Sequence, residues 1–160
     1  MTLHVDINIL VPVSSAQHLP FAITVEVRDT CLCLHLQRAA RAIARRFDAA
    51  LRPLSLTNGQ FSLLMSLNRE EPPSIGNVSA LLAMDRTTLT ANLKPLERRG
   101  LVKVSIDDAD KRARRLKLTS AGRALLVAAL PIWKQTHAIV EYLLPRANCE
   151  ELRVDLRALS

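Results

Sequence analysis

Residues 85–119 read DRTTLTANLKPLERRGLVKVSIDDADKRARRLKLT, and the rest of the chain is organised around this stretch. Asp85 is a preferred N-cap residue, and leucines at positions 89, 93 and 96 recur at the spacing of one buried helix face. Pro95 interrupts the pattern, because an interior proline removes a backbone hydrogen bond, and it predicts a kink or a distinct last turn. Gly100 suits the C-cap. The first part of the stretch therefore predicts a helix over residues 85–99.

The second part of the stretch predicts a β-hairpin. Apolar residues at positions 102, 104 and 106 alternate with polar ones, as in a half-buried strand, and residues 116–119 alternate in the same way. Residues 107–115 between the two runs are dominated by aspartates, arginines and a lysine. We expect a hairpin tip this polar to project into solvent or onto a charged partner, and not to join the core.

The outer face of the predicted helix differs from its leucine face. At about 100° per residue, the side opposite the leucines carries short side chains near its start and cations near its end. Such a face could lie against a polyanion without exposing apolar surface. Its members are Thr87, Thr90, Ala91, Lys94 and Arg98.

The net charge of +7 is distributed unevenly along the chain. Residues 31–123 carry 17 Lys and Arg against 8 Asp and Glu, whereas residues 1–30 carry one against three and residues 124–160 carry four of each. A surplus confined to the helix, the hairpin and the segments before them is typical of nucleic-acid-binding proteins. For charge alone, the alternative is a solvated basic surface.

Four short motifs between residues 54 and 122 resemble the winged helix-turn-helix of the multiple-antibiotic-resistance regulator (MarR) family in both order and spacing. The resemblance implies a mainly α fold with a small β-hairpin wing (α+β), in which N- and C-terminal helices form an intertwined dimerisation region. The motifs are LTNGQFSLL at 56–64, TTL at 87–89, LERRGLV at 96–102, and Asp110-Lys111-Arg112 followed by Leu118-Thr119 and Ala121-Gly122.

The resemblance also implies roles for single residues. Residues 85–99 become the recognition helix and residues 107–115 the wing, whose arginine enters the minor groove and is oriented by the aspartate two residues before it. By position these are Arg112 and Asp110, while Thr87 and Thr88 are expected to set sequence preference. The expected DNA-contacting residues are Ser74, Arg86, Thr87, Thr88, Thr90, Ala91, Lys94, Arg98, Asp110, Lys111, Arg112 and Arg114.

A long amphipathic helix is predicted upstream, from an N-cap at Asp29 or Thr30 to about Leu51, and Pro53 ends it. Arginines at positions 38, 41, 45 and 46 lie on one face. The other face is a narrow apolar stripe that needs a partner, and the resemblance places it in the dimer interface. The stripe consists of Leu32, Leu36, Ala39, Ala40, Ile43, Phe47 and Ala50.

Two shorter helices are predicted between this helix and the recognition helix. Thr57 is expected to cap the first, and the Glu-Glu-Pro-Pro run at 70–73 to terminate it. Ser74 is expected to cap the second, which opens the helix-turn-helix and touches phosphate through its N-terminal amides, and residues 83–84 form the turn. The expected inward residues are Phe61, Leu64 and Met65 in the first helix, and Ile75, Val78, Leu81 and Leu82 in the second.

Two further helices are predicted at the C-terminal end, one from Ser120 to about Leu144, interrupted near Pro131, and one from Cys149 or Glu150 to Leu159. Their apolar seams are too large for one small domain. Residues 29–52 and 120–160 are therefore expected to form a helical dimerisation region around a DNA-binding domain at 53–119. Two-fold symmetry would place the recognition helices about 34–36 Å apart on a pseudo-palindrome.

Residues 1–28 lie outside the resemblance. Alternating residues at 3–9 and a β-branched run at 22–27 predict two short strands joined by a loop. Three interpretations stay open for this segment: a disordered tail, an arm packed on a partner subunit, or residues upstream of the start used in the cell.

The sequence predicts neither an enzyme nor a cofactor or metal site. The four histidines are scattered without ligand spacing, no Gly-rich phosphate loop is present, and clustered aspartates such as those at 107–110 are common in hairpin tips. We expect a cytoplasmic protein, because no apolar run reaches the roughly 18 residues of a membrane span, no signal peptide is recognisable, and three cysteines fit a reducing compartment.

Three cysteines are redox-sensing candidates. Cys31 and Cys33 are expected in the first turn of the long amphipathic helix, where free amides and the helix dipole favour a thiolate. LCLHL at 32–36 resembles the organic-hydroperoxide-sensing branch of the family, with Cys33 at the reactive position, although Gln37 replaces an expected aromatic residue. The partner's Cys149 is the expected resolving thiol. The alternatives are cysteines that merely pack, and a small aromatic or phenolic acid bound as effector between the long helix and the winged helix.

These observations together predict a homodimeric regulator of transcription, a repressor of MarR type, that binds double-stranded DNA and is released by a small ligand or by thiol oxidation. A winged-helix dimer that serves as a protein-interaction module without binding DNA is the alternative.

Overall fold

The structure is a computed structural model that describes residues 19–107, 110–144 and 148–159. These residues form seven α-helices and one antiparallel hairpin, which matches the predicted fold class. The elements are α1 (Phe21–Thr30), α2 (Leu32–Leu51), a 3₁₀ turn (Arg52–Leu54), α3 (Asn58–Ser66), α4 (Ile75–Leu81), α5 (Arg86–Arg98), β1 (Val102–Ile106), β2 (Arg114–Leu118), α6 (Ser120–Tyr142) and α7 (Cys149–Ala158).

The chain divides into two compact units, residues 1–38 and residues 39–160. In the first unit, the strand predicted at 22–27 is wrong, because these residues belong to helix α1. Pro20 takes the N-cap position of α1, and the preference of β-branched residues against helix is only a fraction of a kcal/mol each. The other predicted strand, at 3–9, lies outside the described residues.

The start of the long amphipathic helix is also corrected. Asp29 and Thr30, its predicted caps, lie in the last turn of α1, and α2 begins at Leu32. Cys31 separates the two helices: its amide donates to the Val27 carbonyl at 3.0 Å, and its carbonyl accepts from the amide of His35. The predicted end at Leu51 is confirmed, with Pro53 inside the 3₁₀ turn that follows.

The core of the second unit is built from leucine. Leu51, Leu63, Leu64, Leu89, Leu96 and Leu116 are all fully buried, so the end of α2 packs with α3, α5 and β2 in one cluster. The predicted inward leucines of α5 are confirmed at 89, 93 and 96.

Neither interior proline interrupts its helix, so the break predicted near Pro131 is wrong and α5 likewise continues past Pro95. A proline leaves the carbonyl four residues earlier without its usual donor. Those residues are Ala91 and Val127, and both lie on exposed helix faces where water can bind the carbonyl. Gly100 follows α5 with φ of +68°, which confirms its role at the helix end.

The hairpin pairs Val102 with Leu118 and Val104 with Leu116. Val102, Leu116 and Leu118 are buried, but Ile106 is 54% exposed, so the third inward position predicted for β1 is wrong. Ile106 pairs with Arg114 at the outer end of the hairpin, beyond the reach of the core. Strand β2 accordingly starts at Arg114, two residues before the predicted run.

Helices α6 and α7 leave apolar surface uncovered. Leu126 and Ala129 of α6 are buried, whereas Ile139 and Leu143 near its end are half exposed. Asn148 caps α7, and Arg153 ties it to α6 through Glu141 at 2.8 Å. This guanidinium holds the pKa of the Glu141 carboxyl below its usual value. The predicted bounds of α7 are confirmed to within a residue. In the described part of the chain no helix is long and apolar enough to cross a membrane.

Candidate nucleic-acid interface

Helix α4 starts as predicted. The Ser74 hydroxyl accepts a hydrogen bond from the amide of Asn77 at 3.1 Å, and Ser74 pairs with Arg115 of β2 through an isolated β-bridge. This bridge joins the start of the helix-turn-helix to the hairpin. After α4, Ala83 adopts a left-handed conformation with φ of 48°, which makes the tight turn into α5 at the predicted place.

The start of α5 is held by its cap. The Asp85 carboxylate accepts from the Thr88 amide at 2.8 Å and from the Thr88 hydroxyl at 2.6 Å. Both bonds hold the pKa of the Asp85 carboxyl below its usual value, and the bond from the hydroxyl has the larger effect. The hydroxyl of Thr88 is therefore engaged within the protein, whereas Thr87 beside it faces a depression on the helix surface.

That depression, of about 400 Å³, runs along the outer face of α5. The short residues near the helix start and the cation farther along face it together, as the helical winding predicted. Arg98 lies exposed on the same helix but does not line the depression. The lining residues are Arg86, Thr87, Thr90, Ala91 and Lys94.

The wing contains a buried carboxylate, and this corrects the prediction that residues 107–115 lie wholly outside the core. Asp107 is only 6% exposed; its oxygens accept from the amide of Asp110 at 2.9 Å and from Nε of Arg115. The rest of the described tip is exposed or half-buried. Composition could not reveal this, because the carboxylate is buried only by folding the hairpin back onto its own arginine.

Asp110 shapes the wing tip. One of its carboxylate oxygens accepts from the backbone amide of Arg112 at 2.9 Å, and its carbonyl accepts from the amide of Ala113. The bond to Arg112 thus goes to the main chain, which leaves the guanidinium exposed beyond the turn.

A cleft of about 500 Å³ lies where α4, α5 and the wing meet. Three arginines from two elements, Arg86, Arg112 and Arg114, converge on it, with the start of α4 opposite. Of the twelve predicted contact residues, this cleft brings together Ser74, Arg86, Thr90, Asp110, Arg112 and Arg114, and the depression on α5 takes Thr87, Ala91 and Lys94. Thr88, Arg98 and Lys111 line neither.

Arg99 is a structural residue that lies outside the predicted DNA contacts. Its guanidinium donates to the carbonyl of Ser55 at 2.6 Å and to that of Leu54 at 3.1 Å. It therefore fastens the end of the recognition helix to the turn that closes α2. The one feature of the sequence that pointed to Arg99 was its place in the LERRGLV motif.

A second cavity, of about 340 Å³, is apolar and lies between α3, α4 and α6. Met65 and Leu81, predicted to face inward, are 40% and 60% exposed and line its wall, which corrects both assignments. The Trp133 ring lines it too, with the ring of Phe61 at 6.4 Å on one side and that of His137 at 4.8 Å on the other. This cavity is separate from the predicted effector cleft between the long amphipathic helix and the winged helix, which stays a prediction.

The three cysteines are free thiols. Cys33 is exposed in the first turn of α2, and the Gln37 side-chain amide donates to its sulfur at 3.3 Å. Cys31 caps α2 and is not in its first turn, which corrects the prediction; its sulfur accepts from the amide of Leu34 at 3.4 Å. Cys149 is the first residue of α7.

Comparison with known proteins identifies the family. The model of the MarR family matches residues 56–113. The HTH-type transcriptional regulator TtmR of Methylorubrum extorquens is 36% identical over 61% of this chain, although the match spans only half the length of TtmR. The organic hydroperoxide resistance transcriptional regulator of Bacillus subtilis is 29% identical over 63% of this chain and 69% of its own.

A solved structure extends the likeness beyond the winged helix. The crystal structure of the M. tuberculosis transcriptional regulator MosR in complex with DNA superposes with a TM-score of 0.71 and 36% identity. The superposed region covers 81% of this chain and 92% of MosR. With the helix-turn-helix, the wing and the cleft between them, this similarity shows that the chain belongs to the MarR family.

Proposed function

We propose that this protein is a homodimeric regulator of transcription that binds duplex DNA through the cleft between α4, α5 and the wing. The observation that carries the proposal is the convergence of Arg86, Arg112 and Arg114 on one open cleft. Guanidinium groups suit phosphate and base edges alike, and a helix face of short side chains admits close approach of the duplex.

The face of α5 and the wing would contact different grooves of the duplex. Thr87, Thr90 and Ala91 on the open face of α5 would lie in the major groove, where short side chains can contact base edges. Arg112 at the wing tip would reach the adjacent minor groove, and Asp110 would fix the turn that carries it. Ser74, Lys94, Arg98, Lys111 and Arg114 would contact the phosphate backbone.

Dimerisation would cover the apolar surface of the terminal helices. Leu32 of α2, Ile139 of α6 and Leu159 at the C-cap of α7 are each at least half exposed, so each of these three helices leaves apolar surface that a partner subunit would cover. We assign residues 29–52 and 120–160 to the dimerisation region. A two-fold axis would set the recognition helices one DNA turn apart on a pseudo-palindromic operator, where bound protein represses transcription.

A selection from a random duplex pool tests this function. Enrichment of a two-fold symmetric sequence is the expected result, and Arg112→Ala should weaken binding to it by about 1–3 kcal/mol. Lys134→Ala, which removes the same charge from an exposed position on α6, is the matched control and should leave affinity unchanged. A protein that enriches no sequence and binds no duplex would instead be an interaction module.

The apolar cavity suggests how binding could be regulated. Among the residues that the structure describes, its lining contains aromatic and aliphatic side chains and two serines, but no charged residue. A carboxylate entering it would lose hydration without a cationic partner. We therefore propose a neutral aromatic effector here, in preference to a phenolic acid.

Thiol oxidation is the second candidate signal, favoured by the amide of Gln37 at the sulfur of Cys33. An organic hydroperoxide would oxidise the Cys33 thiol to a sulfenic acid and be reduced to the alcohol. The partner's Cys149 thiol would then displace water to form an intersubunit disulfide. Non-reducing gels should show a covalent dimer that both Cys33→Ser and Cys149→Ser abolish; a chain that stays unlinked and keeps its DNA affinity would exclude this route.

A further inference from the structure

Asp107 is a buried carboxylate that none of the proposed DNA contacts uses. It closes strand β1 and is 6% exposed, and the other buried polar side chains in the described part of the chain, Ser66 and Thr136, are uncharged. A charge is removed from water at a large cost unless it is paired and hydrogen-bonded. Because Asp107 lies at the root of the wing, the groups that pair with its carboxylate are held in place there.

Asp107 holds the wing tip through a series of bonds. One of its oxygens accepts from the amide of Asp110 at 2.9 Å, and the Asp110 carboxylate in turn accepts from the amide of Arg112 at 2.9 Å. The amide of Asp107 itself donates to the carbonyl of Ala113 at 3.1 Å. The backbone that carries Arg112 is thus tied to the buried carboxylate in two steps.

The other oxygen of Asp107 connects the wing to the helix-turn-helix. It accepts from Nε of Arg115, whose Nη1 donates to the carbonyl of Pro72 at 3.2 Å. Beside this contact, the amide of Leu116 donates to the carbonyl of Pro73 at 2.9 Å. Arg115 therefore spans the root of the wing and the segment that leads into α4.

We propose that Asp107 and Arg115 are positioning residues that hold the wing against the start of α4 and thereby keep Arg112 at the cleft. The inference rests on the proposed DNA binding, but neither residue needs to touch DNA. Without the pair, the tip would lose the bond at Asp110 and the contact with Pro72 together. Arg112 would then have to be ordered each time DNA binds, and affinity would fall.

A double-mutant cycle tests the inference. Arg112→Ala should weaken DNA binding about 5- to 150-fold, and Asp107→Asn should weaken it at least about fivefold, although Asp107 is buried. Because Asp107 acts through Arg112, the double variant should bind no more than about twofold more weakly than Arg112→Ala alone. Effects that multiply would show that Asp107 does not act through Arg112, and would overturn the inference.

Arg115→Met provides a second variant that keeps the aliphatic stem while removing the donors. Its matched control is Lys117→Met, which makes the same change at an exposed position on the same strand. Arg115→Met should weaken binding at least about fivefold and Lys117→Met by less than twofold. Equal losses in the two variants would mean that DNA affinity depends only on the positive charge of β2 and not on the contacts of Arg115, and would overturn the inference.

A readout without DNA separates this inference from the proposed function. Trypsin cleaves after Lys111 and Arg112, so Asp107→Asn should be cut in the wing at least about fivefold faster than wild type, under conditions where thermal unfolding shows both to be folded. Unchanged cleavage would overturn the positioning role whatever the DNA result. Faster cleavage in a protein that binds no duplex would uphold the role in the wing and refute the DNA-binding function.

Discussion

Gly122 is the position where the packing behind the wing can be tested with one methyl group. A Cβ built there would lie 2.2 Å from the carbonyl oxygen of Leu101 and 2.8 Å from Cδ1 of Leu118. The leucine methyl can move, but the carbonyl is main chain and accepts from the amide of Thr119 at 3.1 Å. To admit Gly122→Ala, α6 must move away from the base of the hairpin by about 1 Å.

The expected cost follows from two opposing effects. Forcing an extra carbon into a packed site costs about 1–3 kcal/mol. Replacing glycine by alanine in a helix returns at most about 1 kcal/mol, and less in the first turn. The movement also strains the cap in which the Thr119 hydroxyl accepts from the Gly122 amide at 3.0 Å. We predict a net destabilisation of about 2 kcal/mol, or about 4–8 °C in Tm.

Thermal unfolding at matched protein concentration measures the effect, with Gly59→Ala as the control. Gly59 also lies in a first helical turn, but its added Cβ would meet only the side chain of Asn92, whose oxygen lies nearest at 3.1 Å, and a shift of a few tenths of an ångström in that side chain relieves the contact. The control should stay within about 0.5 kcal/mol of wild type. If Gly122→Ala is as stable as the control, the close approach of α6 to Leu101 is wrong.

Three further predictions concern the site. The bonds from Thr88 hold the pKa of Asp85 below its ordinary value of 3.8. Their stabilisation of the folded state is therefore complete above that value and is lost as the pH falls through the lowered folded-state pKa. In urea titrations between about pH 4 and 2, Asp85→Asn should lose less stability than wild type. Asp110→Ala should cause part of the affinity loss of Arg112→Ala, as measured by gel shift, because the turn that presents Arg112 loosens. Trp133 is the only tryptophan in the chain, so naphthalene binding in the apolar cavity should change its fluorescence whereas benzoate should not; the opposite preference would contradict a neutral effector.

The sequence was sufficient where local periodicity and side-chain capping coincide. The leucine spacing of α5, the caps at Thr57, Ser74 and Asp85, and the hairpin were all predicted, because each depends on residues close together in the chain. The family resemblance then placed the wing beside the recognition helix. The structure brings most of the predicted contact residues to two adjoining surfaces.

The sequence failed where burial depends on distant partners. Asp107 looks like part of a solvated tip until Arg115 folds back on it, and Leu81 fits an inward position on α4 until the short helix leaves it at the cavity mouth. Pro131 predicts a break only if the carbonyl of Val127 needs a protein donor, and Val127 faces solvent. The predicted strand at 22–27 failed because β-branched propensity is weak beside the helical hydrogen bonds that form there.

The dependence of DNA affinity on salt concentration tests the proposed role of the cleft most directly. With an enriched duplex, the logarithm of the binding constant should fall linearly with the logarithm of salt concentration, with a slope of about −0.9 for each phosphate neutralised. Removing a cation from the cleft with Arg114→Ala should make the slope shallower by about one, while Lys134→Ala should leave it unchanged. A slope near zero in wild type, or equal slopes in wild type and Arg114→Ala, would contradict a cleft that binds the backbone of duplex DNA.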